Sequence, residues 1–400
     1  MRFRIEVFRR YSPQFWLMAG GMFLSLAGTS MVWPFFPLYV SQVLGGPLSL
    51  VGLLITLQAG AGLIGTVFGG FLVDRWGRKT GMMLSLLGMG VAYILLNFAS
   101  TWWEFAGTMV LGGLFAPAFR IGGDAMAADL VPPEERDEAY AILRVATNVG
   151  VALGPALGAL LIVWSYNLAF TGAALVLFAY ALILWVWGKE TLPDDNAHGS
   201  AFADFATMLR DGRLWAFLFP VLLAWMAGSL VWVWLGVYMK EHFGLGERSY
   251  GWLVTTNAGM VMTLQFLVTR WARRLGGMRT AMVLGALLYA GSITAMAWAT
   301  SFWEFWTLMV VLTVGEMLMI PTASTWVANL APEHLRGRYM STIAMMWALG
   351  AGGISPVGGW LSDRISPRAP WYFGGALALL AAVLFLFQRP PEANGNAVKR

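Results

Sequence analysis

Residues 69–79 read GGFLVDRWGRK: an apolar stretch leads into an acid, a glycine and three basic residues. The apolar stretch ends a run that begins near residue 48 and is long enough to cross a bilayer as a helix. Asp74 stands at the edge of that run, and Gly77 permits a tight turn before the next apolar run begins near residue 80. The segment therefore predicts a short polar loop between two membrane-spanning helices.

The composition of the whole chain favours a membrane protein. Hydrophobic residues make up 58% of the 400 residues and charged residues only 12%, whereas soluble domains carry about 25% charged residues. The chain has no cysteine, which excludes disulfides, thiolate metal sites and a cysteine nucleophile. The net charge is +5, but the basic residues flank apolar segments, so we expect no nucleic-acid partner.

Twelve apolar segments are long enough to span a bilayer, and none shows the alternation typical of membrane β-strands. The first begins behind a basic amino terminus and is too long for a cleaved signal peptide. The sequence therefore predicts an all-α membrane protein with spans near residues 15–40, 48–73, 80–98, 105–128, 139–164, 168–187, 214–239, 249–269, 280–299, 305–330, 338–362 and 371–387.

The basic residues also predict the orientation. With the amino terminus in the cytoplasm, twenty of the 26 lysines and arginines fall on the cytoplasmic side and four outside. The four outside are Lys240, Arg248, Arg364 and Arg368. This bias is the positive-inside pattern, so we expect a multi-pass protein of the cell membrane with both termini in the cytoplasm.

The sequence repeats itself at an offset of about 200 residues. TWWEF at 101–105 matches SFWEF at 301–305, and LVDRWGRK at 72–79 is echoed by LVTRWARR at 267–274. Parallel repeats of six spans are typical of secondary transporters. We predict two pseudo-symmetric six-helix halves, residues 1–188 and 214–400, joined by a cytoplasmic linker at 189–213.

The loop after the second span resembles the signature of the major facilitator superfamily, and the resemblance extends over the whole chain. The matching positions are Gly70, Asp74, Arg75, Gly77, Arg78 and Lys79. The resemblance implies that Asp74 helps to latch the two halves in an outward-facing state. The alternative is a solvated loop that only sets orientation. In the second-half copy, Thr269 and Ala272 replace Asp74 and Gly77, so no latch is expected there.

A second signature lies in the fifth span. Gly150, Gly154, Pro155 and Gly158 match the GxxxGPxxG pattern of drug/proton antiporters. Small residues at every fourth position let another helix approach closely, and the proline bends the span. The alternative is ordinary packing between transporter helices, which leaves the direction of transport open.

Few charges lie well inside the predicted spans, where a charge is costly and is a functional candidate by default. Arg120 and Asp124 lie one turn apart in the fourth span, so each can satisfy the other locally or serve transport. Arg144, a turn from Asn148 in the fifth span, can serve substrate, Asp124 or packing.

Glu316 in the tenth span has no charged partner nearby in sequence, and it corresponds at offset 200 to Ala116. In the superfamily that the chain resembles, the fourth and tenth spans line the central cavity, and a glutamate after glycine in the tenth span resembles one branch of proton-coupled multidrug exporters. We therefore expect Glu316 to carry the coupled proton, with Asp124 as the second candidate. The alternative is that Glu316 bonds to a neighbouring span and has only a structural role.

Aromatic residues are common in the spans expected to border the cavity. Their rings can stack on cationic substrates or lie at the membrane interface. The candidates for substrate contact are Trp33, Phe36, Tyr39, Trp232, Tyr238 and Trp347. All three histidines fall in predicted loops, so none is expected to relay protons.

These features together predict a transporter that lies in the lipid bilayer and moves a small-molecule substrate by alternating access. The expected partners are the lipid bilayer, the small-molecule substrate and protons. The leading hypothesis is proton-driven export of lipophilic, cationic molecules, and the alternative is proton-coupled transport of a specific metabolite such as a sugar, organic acid or lipid. No phosphate-binding loop or hydrolase motif is present, so we expect no enzyme activity, no cofactor and no metal. We expect a monomer.

Overall fold

The computed structural model describes residues 10–132, 135–192, 210–274, 276–332 and 336–391. Within these ranges the regular elements are helical. In chain order the α-helices are α1 Pro13–Val32, α2 Phe36–Leu44, α3 Leu48–Trp76, α4 Arg78–Leu96, α5 Trp102–Leu130, α6 Arg136–Ile162, α7 Tyr166–Trp187, α8 Gly212–Phe243, α9 Glu247–Arg274, α10 Gly277–Ala295, α11 Phe302–Leu330, α12 Arg336–Arg364 and α13 Ala369–Leu386.

Twelve spans long and apolar enough to cross a membrane occur in the described residues. Helices α1 and α2 together form the first span, and each later helix forms one more. The prediction of an all-α protein with twelve spans is confirmed, although most helices extend a few residues beyond the predicted apolar runs. The additional residues at the helix ends are often polar, so the apolar pattern alone does not predict that they are helical.

The first span differs from the predicted continuous run because a 3₁₀ turn at Trp33–Phe35 separates α1 from α2. Pro34 lies in this turn and Pro37 in the first turn of α2. Proline lacks the N–H that an α-helix needs and crowds the preceding turn, so the two prolines favour a break here.

The repeated TWWEF and SFWEF segments begin equivalent helices, α5 and α11, of 29 residues each. In the first copy the Glu104 carboxylate accepts hydrogen bonds from the backbone amides of Ser100 and Thr101 at 2.8 and 2.9 Å. In the second copy the Glu304 carboxylate accepts hydrogen bonds from the backbone amides of Thr300 and Ser301 at 2.7 and 3.0 Å. Each glutamate thus satisfies amide groups just before its helix, which explains why the motif recurs.

The chain forms two compact units. The first comprises Met1–Gly46, Leu54–Asn196 and Gly246–Ala258, and the second comprises Pro47–Leu53, Ala197–Leu245 and Gly259–Arg400. The first residues of α3 therefore belong to the second unit, and the first half of α9 belongs to the first unit. Most of the predicted linker at 189–213, residues 193–209, lies outside the described residues.

The same helix pairs pack inside each unit. In the first unit α1 packs on α6 and α7, and α4 packs on α5 and α7. In the second unit α8 packs on α12 and α13, and α10 packs on α11 and α13. The sequence repeat is therefore also a repeat of helix packing, and the predicted pseudo-symmetric architecture is confirmed.

Candidate transport site

The loop between α3 and α4 consists of a single residue, Gly77, with a φ of 103°. This backbone conformation strains any residue with a side chain, so the turn requires glycine. A Cβ atom at this position would also collide with the carboxylate of Glu190. Gly77 is therefore required both by its backbone and by the side chain that lies over it.

Glu190 follows the sixth span directly and was not predicted to have a role. Its Oε1 accepts hydrogen bonds from the backbone amides of Arg78 and Lys79, at 2.8 and 3.4 Å, at the start of α4. A carboxylate is stabilising at a helix amino terminus because the free N–H groups carry partial positive charge. Glu190 thus ties the end of the sixth span to the signature loop.

The charged residues of the signature divide into bound and exposed groups. Arg78 Nε donates to Asp129 Oδ2 at 3.0 Å, and Lys79 Nζ donates to the backbone oxygen of Trp185 at 3.0 Å. The Asp74 side chain is 63% exposed and lies 3.8 Å from Arg78. Arg78 and Lys79 therefore stabilise the first unit, whereas Asp74 is largely accessible.

The two remaining signature residues make fewer contacts. The Arg75 guanidinium lies over the ring of Phe71, 5.6 Å from its centroid. At Gly70 an added Cβ would meet no atom within 4 Å. The packing of the first unit therefore does not require glycine at position 70.

The glycines of the antiporter signature line the contact between α6 and α1. A Cβ atom on Gly150 would approach the backbone oxygen of Phe23, one on Gly154 the backbone oxygen of Ala27, and one on Gly158 that of Met31. Pro155 lies inside α6 beside this row. The row brings the two backbones together, as expected of small residues at this spacing.

Arg120 and Asp124 are both exposed and lie one turn apart on α5, close enough for their charges to interact. The neighbouring faces of α5 pack on other helices: Gly113 on Gln58 of α3 and Gly123 on Met22 of α1. The two charges therefore occupy the face of α5 that the first unit leaves open. Across from them on α6, Tyr140 donates a hydrogen bond to the backbone oxygen of Asp124 at 3.1 Å.

Arg144 and Asn148 are also exposed and lie one turn apart on α6. Both are off the glycine row that packs on α1. The first unit therefore presents two cations, an acid and an amide on open faces of its fourth and fifth spans.

Glu316 is half-buried on α11. Its neighbour Gly315 packs against Gly285 and Tyr289 of α10, and the Glu316 carboxylate is near enough to Tyr289 for its charge to act on the phenol. The second unit thus holds its one predicted intramembrane acid beside a buried hydroxyl.

The predicted aromatic contacts fall into two groups. Trp33 and Trp347 are exposed, at 41% and 37%. The other four are less exposed: Tyr39 packs against Tyr166, with ring centroids 4.7 Å apart, and Tyr238 packs against Trp371 at 5.1 Å. Phe36 and Trp232 are buried. These four rings contribute packing inside their own units.

A family model for the Major Facilitator Superfamily matches residues 18–249 and 221–400. The chain belongs to the major facilitator superfamily. This major facilitator transporter is 29% identical over 357 residues to the uncharacterized MFS-type transporter YttB of Bacillus subtilis, a match that covers 87% of this chain and 88% of the relative.

Two further relatives have named activities. A Na(+), Li(+), K(+)/H(+) antiporter of Planococcus maritimus is 25% identical, with 89% of this chain and 91% of the relative covered. Multidrug resistance protein MdtH of Klebsiella pneumoniae is 23% identical, with 96% of each chain covered.

Solved structures agree on the fold. A bacterial homologue of the human lysosomal transporter Spinster, in an inward-facing and occupied conformation, superposes with a TM-score of 0.77 at 12% identity, covering 93% of this chain and 95% of that one. A POT family transporter in complex with 5-aminolevulinic acid also superposes with a TM-score of 0.77, at 14% identity, covering 93% of this chain and 94% of that one.

Two further acids, Glu247 and Asp363, lie at the helix ends away from the signature loop. The sequence analysis gave neither of them a role. In the first unit Glu247 accepts hydrogen bonds from Tyr166 Oη at 2.8 Å and Gln42 Nε2 at 3.1 Å. In the second unit the Asp363 carboxylate accepts hydrogen bonds from the backbone amides of Leu48 and Ser49, each at 2.9 Å. Both acids hold the start of a span in place.

Proposed function

We propose that this transporter exports lipophilic, cationic small molecules across the cell membrane in exchange for protons. The observation that carries the proposal is the distribution of intramembrane charge over two equivalent helices. Helix α5 presents Arg120 and Asp124 one turn apart on its open face, and the equivalent helix α11 carries Glu316 near the matching position. Each repeat therefore contributes an acid from the same helix, in a different charge environment.

The two acids are suited to different tasks. Asp124 is exposed on α5 one turn from Arg120, a cation that can pair with its carboxylate on the same helix face. Glu316 is half-buried beside Tyr289, and desolvation makes its ionised form costly. A proton removes that cost, and so does a bound organic cation. Proton and cationic substrate then compete for Glu316, and this competition couples their movements.

The open aromatic side chains support the choice of substrate. Trp33 and Trp347 are exposed on the first and eleventh spans, and indole faces attract organic cations. One relative is named a Na(+), Li(+), K(+)/H(+) antiporter, which supports exchange with protons, and another is named a multidrug resistance protein, which supports a drug-like substrate. The glycine row on α6 has the antiporter pattern and is filled by α1.

We also propose that the signature loop acts as the conformational latch. Asp74 is the acid of the signature, and its side chain is 63% exposed and forms only a loose ion pair with Arg78 at 3.8 Å. It is therefore available to a partner in another conformation. The family latch role is assigned to Asp74, with Arg78, Gly77 and Glu190 shaping the loop that carries it.

The second candidate is proton-coupled transport of an anionic metabolite. Arg120 and Arg144 are exposed on adjacent spans of the first unit, and two guanidinium groups on open faces suit a carboxylate or phosphate ligand. In either case an ion gradient drives transport, because the sequence contains no nucleotide-binding loop.

Transport by the purified protein in proteoliposomes tests the proposal. An imposed proton gradient should drive accumulation of lipophilic cations such as tetraphenylphosphonium in inside-out vesicles, and a protonophore should abolish it. Sodium, potassium and organic anions are assayed in parallel with protein-free vesicles as the control. Gradient-driven movement of an organic anion but of no lipophilic cation would replace the first candidate with the second.

A further inference from the structure

A narrow apolar groove lies in the first unit between the end of α6 and the start of α9. Its volume is about 420 Å³. Small residues form its floor: Ala156 and Ala159 on α6 face Gly251 on α9, and a Cβ on Gly251 would come within 2.7 Å of the Ala159 methyl. The close approach of small residues leaves an open furrow between the two helices.

The groove reaches the water boundary at one end. Helix α6 ends at Ile162 and α9 begins at Glu247, so this end of the furrow lies where both spans leave the hydrocarbon. Two tryptophans flank it: Trp164 is 82% exposed and Trp252 is 57% exposed. Exposed tryptophans at span ends are typical of the headgroup level of a bilayer.

Arg248 stands at the mouth of the groove, in the first turn of α9. Its side chain is exposed, and no side chain in the described parts of the chain forms an ion pair with it. The adjacent acid, Glu247, is bound by Tyr166 and Gln42. Among the described residues this guanidinium has no carboxylate partner, and it lies at the headgroup level beside an apolar furrow.

We propose that this groove binds an anionic phospholipid. One acyl chain lies along the furrow, and the phosphate contacts Arg248, whose planar guanidinium can donate two hydrogen bonds to it. From Arg248 to Thr255 the furrow follows α9 for about 10 Å, at about 1.5 Å per residue. Phosphatidylglycerol, whose headgroup has a net negative charge and no cationic group, is preferred because nothing in that headgroup competes with Arg248 for the phosphate.

The bound lipid has a structural consequence. It contacts both α6 and the Gly246–Ala258 segment, and so stabilises the packing of that segment in the first unit. This role is independent of the transported substrate, and lipid binding is measured without any transport assay.

Native mass spectrometry of the detergent-purified protein tests the site, with phosphatidylglycerol and phosphatidylcholine of identical acyl chains as probes. The wild type should retain phosphatidylglycerol in preference to phosphatidylcholine. Arg248→Gln should weaken phosphatidylglycerol binding about tenfold, as expected for the loss of one charge-assisted contact. Ala156→Leu, which fills the groove, should reduce binding of both lipids.

Arg364→Gln is the matched control, because Arg364 is an exposed arginine at the end of a span but does not line the groove. It should bind both lipids as the wild type does. Equal retention of the two lipids by the wild type would overturn the proposal. So would an Arg248→Gln protein with undiminished phosphatidylglycerol binding, or an equal loss in Arg364→Gln.

Discussion

Ser49 donates two hydrogen bonds to the carboxylate of Asp363, from its backbone nitrogen and from Oγ, each at 2.9 Å. Leu48 donates a third from its backbone nitrogen at 2.9 Å. The amino terminus of α3 is thus capped by the last turn of α12, some 314 residues further along the chain. A full negative charge at a helix amino terminus is a favourable contact that a conformational change can break.

We predict that Asp363→Asn lets the first turn of α3 separate from α12. The substitution removes the charge that the free amides attract and replaces one acceptor oxygen with a donor. Spin labels at Leu50 and Trp360, both exposed, should report a longer and broader distance distribution. Glu241→Gln is the control, since Glu241 is an acid close enough to interact electrostatically with Asp363, whereas the amides of Leu48 and Ser49 donate to Asp363. Identical distributions in wild type and Asp363→Asn would contradict this role.

The two signature glycines should respond oppositely to alanine. Gly77→Ala forces a side chain into a strained backbone region, at a cost of about 1–3 kcal/mol, and pushes against Glu190. Gly70→Ala adds a methyl to open space in a helix and should stabilise by about 0.5–1 kcal/mol. Apparent Tm in detergent measures both. A Gly77→Ala protein as stable as Gly70→Ala would show that Glu190 and the turn do not constrain the loop.

The antiporter row makes a separate stability prediction. Gly158→Ala places a methyl against the backbone of Met31, and overpacking of this kind costs about 1–3 kcal/mol. Gly353→Ala on α12, where a Cβ meets nothing within 4 Å, is the matched control and should leave the apparent Tm unchanged or raise it. Equal Tm values for the two variants would mean that α1 and α6 do not need the close approach.

The basic residues predict where the loops lie. Accessible tags at residue 1, within 189–213 and at residue 400 should all report the cytoplasmic side, because most lysines and arginines fall on that side. Labelling of intact cells and of inverted vesicles with an impermeant reagent distinguishes the sides. A tag in the linker that reacts in intact cells would contradict the predicted orientation.

The sequence predicted the twelve spans, the repeat and the loop signature, because continuous apolar runs and short motifs are local properties of the chain. It did not predict the break at Trp33–Phe35, where two prolines interrupt an otherwise apolar run. Nor did it predict the partners of Glu190 and Asp363, which lie more than 100 residues away in sequence. Such pairings depend on helix packing, and residue patterns alone do not encode a specific partner at that separation.

The intramembrane charges illustrate the same limit within one site. Spacing predicted that Arg120 and Asp124 share a helix face, and the structure places both on the exposed side of α5. For Glu316 the sequence offered no neighbour, whereas packing brings it near Tyr289 of α10.

Proton release upon substrate addition tests the central claim most directly. In weakly buffered detergent solution, a lipophilic cation added to the wild-type protein should displace protons, reported by a pH-sensitive dye. Glu316→Gln should release none while remaining folded and monodisperse. Asp124→Asn should still release protons but with lower expression or stability, because its substitution leaves Arg120 without its neighbouring acid. Proton release by Glu316→Gln, together with none from Asp124→Asn, would contradict the account and assign the coupling residue to the other half.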